Sequence, residues 1–187
     1  MRHDDATAKR TSATHLATGI LVNDGRLLMV ASRYANHPQP LWNLPGGRQL
    51  AGELLEETVV REVFEETGLR VNTGELAYVS ESYDGEQHFL NVAFRVILRQ
   101  PQDGTLAPAR SAVLSEASFD AESKDQDDRV EDHVVKVEWV PLDEVGERIV
   151  VAVVREPLLE YLRGSLEKRY AGFHDAGVTI EWPPDSR

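Results

Sequence analysis

A single α/β domain is what this sequence predicts, on three observations. Short apolar segments of strand length recur along the chain, at 15–22, 26–31, 76–82, 89–98 and 133–140. A segment of helical spacing, Glu53 to Thr67, interrupts them, and another, Ala152 to Tyr170, follows the last. The chain is 187 residues long with 41% hydrophobic residues, enough for one core of ordinary size, and it shows no internal repeat.

Each element has a local reason. Residues 1–12 are polar and read as a flexible N-terminus. His15 to Val22 and Arg26 to Ala31 are two strands, joined by Asn23-Asp24-Gly25, a strong hairpin signal. Tyr34 to Pro45 holds three prolines and one tryptophan and reads as a loop, ending in the open Pro45-Gly46-Gly47 turn. In the following helix Leu55, Val59, Val63 and, less regularly, Phe64 repeat at helical spacing, and Gly68 ends it. Strands at Leu76 to Ser82 and Phe89 to Leu98 flank a turn at Asp84-Gly85. Residues 100–132 read as an insertion or lid, with eight acids between Glu116 and Asp132 against Lys124 and Arg129. His133 to Val140 forms a strand with Val135, Val137 and Trp139 on one face, and Pro141 opens a short helix. In the helix 152–170, Pro157 belongs to the first turn or marks a later start. Residues 171–187 form a tail that no local pattern places.

Composition narrows the function. The formal charge is −12, with 20 Lys and Arg against 32 Asp and Glu, which argues against a nucleic-acid binder. A phosphorylated substrate would then approach through divalent cations. The absence of cysteine removes disulfides, thiolate nucleophiles and cysteine zinc sites. No apolar run reaches the ~20 residues of a membrane span, and Met1 to Asp5 is polar rather than signal-like, so a soluble cytoplasmic protein without a membrane partner is expected.

The chemistry concentrates between Gly46 and Leu69. Glu62, Glu65 and Glu66 stand at i, i+3 and i+4 and share one helix face. An isolated Glu-x-x-Glu-Glu is ordinarily a solvated face. Here Gly46-Gly47 precedes the helix, where a backbone carbonyl could reach a metal, and Arg61 can pair with Glu65 one turn on. Clustered carboxylates repel one another unless a cation sits among them, and hard oxygen ligands suit magnesium or manganese.

The spacing from Gly47 through Glu53 to Arg61-Glu62-Val63-Phe64-Glu65-Glu66-Thr67-Gly68-Leu69 is that of the Nudix box, and the chain resembles the Nudix hydrolase family at every fixed position of it. A weaker likeness runs from the first strand pair, through Trp42-Asn43-Leu44-Pro45, to the closing strand at Glu138-Trp139-Val140-Pro141-Leu142. The resemblance implies an α/β/α sandwich with a mixed sheet and a Nudix loop-helix-loop, occupying residues 13–170. It implies hydrolysis of the diphosphate linkage of a nucleoside diphosphate derivative by water attack at phosphorus, with Mg2+ as cofactor and Mn2+ as a substitute. Glu62, Glu65 and Glu66 are the implied metal ligands, with the Gly46 carbonyl as a further one. Glu53 is implied to position water or the catalytic helix, and Arg61 to orient a ligand carboxylate. Many members carry a glutamate where this chain has Leu50, which puts substrate approach near Gly46-Gly47 in question.

Outside the box the signals thin. The base that accepts the water's proton is sought in the loop before the closing strand, where Glu131 is preferred to Asp132, Asp127 and Asp128. Arg33 and Arg48 are the candidate substrate-binding cations. Trp42 and Phe89 could stack on a base but are more often core residues, and a structural role is expected for His88. ADP-ribose hydrolases of the family carry a proline in a segment that reads Tyr83-Asp84-Gly85-Glu86 here, so nucleoside triphosphates, nucleotide sugars, ADP-ribose and dinucleoside polyphosphates all stay open. The alternative is a non-catalytic Nudix-like nucleotide-binding module. An isomerase on the same scaffold generally relies on cysteine. Phe173, Val178, Ile180 and Trp182 give the tail a surface for a homodimer or a cover for the core.

Overall fold

A computed structural model describes residues 12–99 and 134–180. The expected flexible N-terminus (apart from residue 12), the lid and Trp182 lie outside them. Within them stand a mixed sheet, an antiparallel sheet and three helices. Strands β1 (Ala13–Ile20), β5 (Gly46–Arg48), β6 (Val71–Asp84), β7 (Gln87–Leu98) and β9 (Tyr170–Phe173) form one sheet in the order β5-β1-β7-β6-β9. The β1–β7 and β6–β9 pairs are parallel and the others antiparallel. The second sheet is centred on β3 (Arg26–Ser32). Its first residues pair with β2 (Val22–Asn23), its last with β4 (Leu41–Asn43), and its whole length with β8 (Val134–Pro141).

The hairpin signal is accurate. Asn23 faces Arg26, and both Asp24 and Gly25 take positive φ, as the right-handed twist of a two-residue hairpin demands. The expected loop 34–45 contains β4, because Leu41, Trp42 and Asn43 find an open edge of β3 that prolines alone could not reveal. β6 begins at Val71, five residues earlier than its apolar run. Register shifts between Thr73 and Tyr78 break the alternation there and hide the strand.

Helix α1 (Leu55–Thr67) joins the two sheets. The Glu57 carboxylate accepts the Leu54 N–H at 2.8 Å, capping the start, and Gly68 at φ 71° returns its N–H to the Phe64 carbonyl. Val59 and Val63 are fully buried against Ala17, Val92, Phe94 and Val96. Each contributes about 1.5–3 kcal/mol by that burial. Phe64 is not part of this face. It is 42% exposed, with the Arg70 guanidinium 4.6 Å above its ring. Val135 also differs from expectation, standing exposed at the start of β8 while Val137 enters the core.

On the other side of the first sheet, Ile20, Ala77, Tyr78 and Ala93 pack with Leu27, Met29, Val140 and Leu158. Leu158 belongs to α3 (Ala152–Leu162), which follows the single turn α2 (Val145–Arg148). The predicted helix to Tyr170 is shortened. It stops at Arg163, and Tyr170–Phe173 instead pair with Val79–Ser82 of β6. Pro157 lies inside the helix rather than in its first turn. The tail as far as Ile180 packs against its own chain. The Thr179 hydroxyl donates to Asp84, and its carbonyl accepts from Asn36 Nδ2 and approaches His37 Nε2 at 2.9 Å.

Candidate functional site

β5 brings the glycine turn to the end of α1. Thr18 faces Gly46, Ala17 faces Gly47 and Leu16 faces Arg48 in the antiparallel β1–β5 ladder. A Cβ on Gly46 would stand 2.3 Å from the Ala17 carbonyl oxygen, and one on Gly47 would stand 2.6 Å from the Glu62 carboxylate. Both positions need glycine for closeness of approach. The Gly46 N–H donates to Glu66 at 2.8 Å. Glu62 and Glu66, four residues apart on α1, thus meet the two glycines side by side.

Arg61 organises the remainder. Its Nε and one terminal nitrogen donate to the two oxygens of Glu53 at 2.7 and 3.0 Å. The other terminal nitrogen donates to Glu62 at 2.7 Å and Glu65 at 2.9 Å, and a further bond reaches the Arg48 carbonyl at 3.0 Å. Pairing with Glu65 was expected from spacing. The bidentate grip on Glu53 was not, although Glu53 contributes most to holding the guanidinium protonated. In return Arg61 holds the Glu53 carboxyl down at about 2, against a burial cost and with help from the Leu50 N–H and the Thr58 hydroxyl. Leu50 therefore enters the site through its backbone while its side chain is half exposed.

Two participants were missed. Thr58 is fully buried and donates to Glu53 at 3.0 Å. Its signal was present, since it is a polar residue beside Leu55, Val59 and Val63 on the apolar side of α1. Tyr34 reads in the sequence only as the start of a loop. Burial, and then the nearby charge of Glu66, push its hydroxyl above the ordinary phenol range. Nothing in the local pattern announces that nearby charge.

Among the other candidates, Arg33 is exposed just beyond β3 and Arg48 is half-buried on β5. Trp42 is half-buried on β4 with Lys136 and Arg148 over its ring at 5.5 and 5.4 Å, and Phe89 is buried in β7. His88 stacks on Tyr83 at 4.6 Å and meets Glu81 through Nε2 at 2.5 Å. Glu131, Asp132, Asp127 and Asp128 lie outside the described residues.

The donor set suits a hard divalent cation, being carboxylates beside a glycine turn with no room for side chains. Among the described residues, however, no three acidic or imidazole side chains are gathered into a ready-formed cation site. The Arg61 guanidinium engages two of the three helix carboxylates and the Gly46 N–H engages the third.

The NUDIX domain family matches residues 13–162, which is most of the chain. The chain belongs to the NUDIX family. Among curated relatives it is 37% identical over 79 residues to an ADP-ribose pyrophosphatase of Methanocaldococcus jannaschii, covering 41% of this chain and 46% of that protein. It is 40% identical over 75 residues to a MutT-like protein of Streptomyces ambofaciens, covering 40% and 46%. The match thus spans about half the length of these relatives. The crystal structure of a MutT protein from Methanosarcina mazei Go1 superposes with a TM-score of 0.60 at 18% identity, covering 86% of this NUDIX chain and all of the other. That likeness extends to the mixed α/β architecture as a whole.

Proposed function

We propose that this NUDIX chain hydrolyses the diphosphate linkage of a nucleoside diphosphate derivative in a reaction that requires a divalent metal ion. The observation that carries the reading is the meeting of Glu62 and Glu66 with Gly47 and Gly46, fixed from behind by the Glu53–Arg61 pair. Glu62, Glu65 and Glu66, with the Gly46 carbonyl, would hold Mg2+ or Mn2+. When bound, the cation supplies charge neutralisation at phosphate oxygens and a more acidic water. The chain's own part is positional. Glu53 and Arg61 keep the carboxylate face in register with the glycine turn, whose lack of side chains lets β1 and Glu62 pack directly on the backbone. Arg33 and Arg48 are proposed to meet the substrate, and Glu131 to accept the proton of the attacking water. Its substrate is a small nucleotide, with ADP-ribose among the candidates through the name of one relative. No described helix is long and apolar enough to cross a membrane, and the cytoplasm is proposed on composition.

A non-catalytic nucleotide-binding module is the second reading. The observation behind it is that Arg61 hydrogen-bonds both Glu62 and Glu65, holding two of the three helix carboxylates in one arrangement. One experiment separates the two. The protein is incubated with nucleoside triphosphates, nucleotide sugars, ADP-ribose and dinucleoside polyphosphates, with Mg2+, Mn2+ or EDTA, and products are identified by phosphorus NMR. Metal-dependent release of a nucleoside monophosphate supports the hydrolase. Nucleotide binding without turnover of any compound supports the module.

A further inference from the structure

The first sheet carries a polar row that the reaction centre does not use. Thr18 on β1, Asn91 on β7 and Ser80 on β6 stand on three adjacent strands. The Asn91 carboxamide lies between the two hydroxyls, its Nδ2 at 3.2 Å from Thr18 Oγ1 and 3.5 Å from Ser80 Oγ. Thr18 and Ser80 are buried. Asn91 Oδ1 is shielded from solvent and has no hydrogen-bond partner among the described residues. If the amide is turned over, the orphan becomes its NH2 group, so either orientation leaves one polar end unanswered. A buried polar atom left in that state is destabilising unless something supplies the missing bond.

Position decides what that something is. Thr18 is the ladder partner of Gly46, so the row begins on the strand beside the glycine turn that meets Glu66. It lies on the α3 side of the sheet, on the same face as Ile20 and Ala93 two residues further along their strands. Along β1 the side chains pass from buried Ile20 through Thr18 to half-buried Leu16, and along β7 from buried Ala93 to half-buried Asn91. The row thus sits where the packed face begins to open. Three strands span roughly 10 Å, the scale of a nucleoside.

We propose that Thr18, Asn91 and Ser80 form a specificity strip that hydrogen-bonds the nucleoside end of the substrate while its diphosphate lies at the Gly46–Glu66 turn. The proposal rests on the reading of that turn as the phosphate end. Asn91 makes the discriminating contact, because its free end must be matched by a complementary donor or acceptor on the base or sugar. Thr18 and Ser80 hold the carboxamide in place.

The test measures Asn91→Leu and Thr18→Val, both close in volume to the native residues, against the wild type. Equilibrium binding of the four nucleoside monophosphates is recorded in EDTA, and kcat and KM for the corresponding triphosphates with Mg2+. Asn91→Leu is expected to weaken binding of the preferred nucleotide about tenfold, as loss of a buried hydrogen bond does, and to flatten the selectivity among bases, chiefly through KM. Thr18→Val shifts selectivity in the same direction and carries the test if Asn91→Leu fails to fold. Folded variants with wild-type affinity and selectivity overturn the strip, and leave the hydrolase reading standing if turnover persists. Loss of nucleotide affinity in Asn91→Leu, in a protein that turns over no substrate, supports the strip and removes the hydrolase reading.

Discussion

Arg61 grips Glu53 through two parallel hydrogen bonds, Nε to Oε1 at 2.7 Å and a terminal nitrogen to Oε2 at 3.0 Å. The two residues are eight positions apart, one on α1 and the other in the loop before it. The pair therefore ties the loop that leaves the glycine turn to the helix bearing the carboxylates. The Thr58 hydroxyl and the Leu50 N–H also donate to Glu53 Oε2, so the loop has little freedom to shift against the helix.

This pair makes stability depend on acidity in a defined direction. The Glu53 carboxyl is held at about 2 in the folded protein, below the ordinary value of 4.5. A depressed carboxylate contributes stability above its unfolded pKa and loses it as pH falls through the folded one. Glu53→Gln should be less stable than wild type by about 1–3 kcal/mol at pH 7, the worth of charge-assisted hydrogen bonds. The difference should shrink between pH 4.5 and 2. Urea unfolding of both proteins across that range checks it, and a difference independent of pH would remove Glu53 as the linked group.

Glu66→Gln separates charge from hydrogen bonding. Glutamine retains an oxygen to accept the Gly46 N–H, so the thermal midpoint should stay near that of wild type. The negative charge proposed to hold the cation is gone, and kcat at saturating Mg2+ should fall about a hundredfold or more. Near-native turnover under those conditions would refute Glu66 as a metal ligand.

Gly47→Ala tests closeness rather than charge. The added methyl carbon would lie 2.6 Å from the Glu62 carboxylate. Glu62 must rotate away or the turn must move, at a cost of about 1–3 kcal/mol. More than tenfold loss of activity is expected alongside that loss of stability. Paired melting curves and initial rates decide it.

Removal of residues 170–187 should open a sheet edge. Tyr170–Phe173 cover β6 from Val79 to Ser82, and the Tyr170 hydroxyl donates to Glu81. Without them β6 presents an unpaired edge to other chains. Size-exclusion chromatography should show self-association of the truncated protein at concentrations where the full chain does not change. Identical elution of the two would mean that β9 contributes little to edge protection.

Much of this protein was determined by sequence alone, because much of it is local. The Asp24-Gly25 turn, the α1 face of Val59 and Val63, the Gly68 cap and the spacing of Glu62, Glu65 and Glu66 all follow from contacts within a few residues. The Nudix box identified the family for the same reason, since loop, helix and carboxylates form one continuous stretch. Tertiary structure decided whatever needed two distant segments. β4 and β9 exist because β3 and β6 offer free edges, and neither edge is visible from Leu41–Asn43 or Tyr170–Phe173 themselves. Tyr34 comes within range of the Glu66 charge, and Asn91 lies between Thr18 and Ser80, only once the strands are ordered. Hydrogen bonds and charges act over a few ångströms in space, and a linear pattern records such proximity only where the chain supplies both partners within a turn or two.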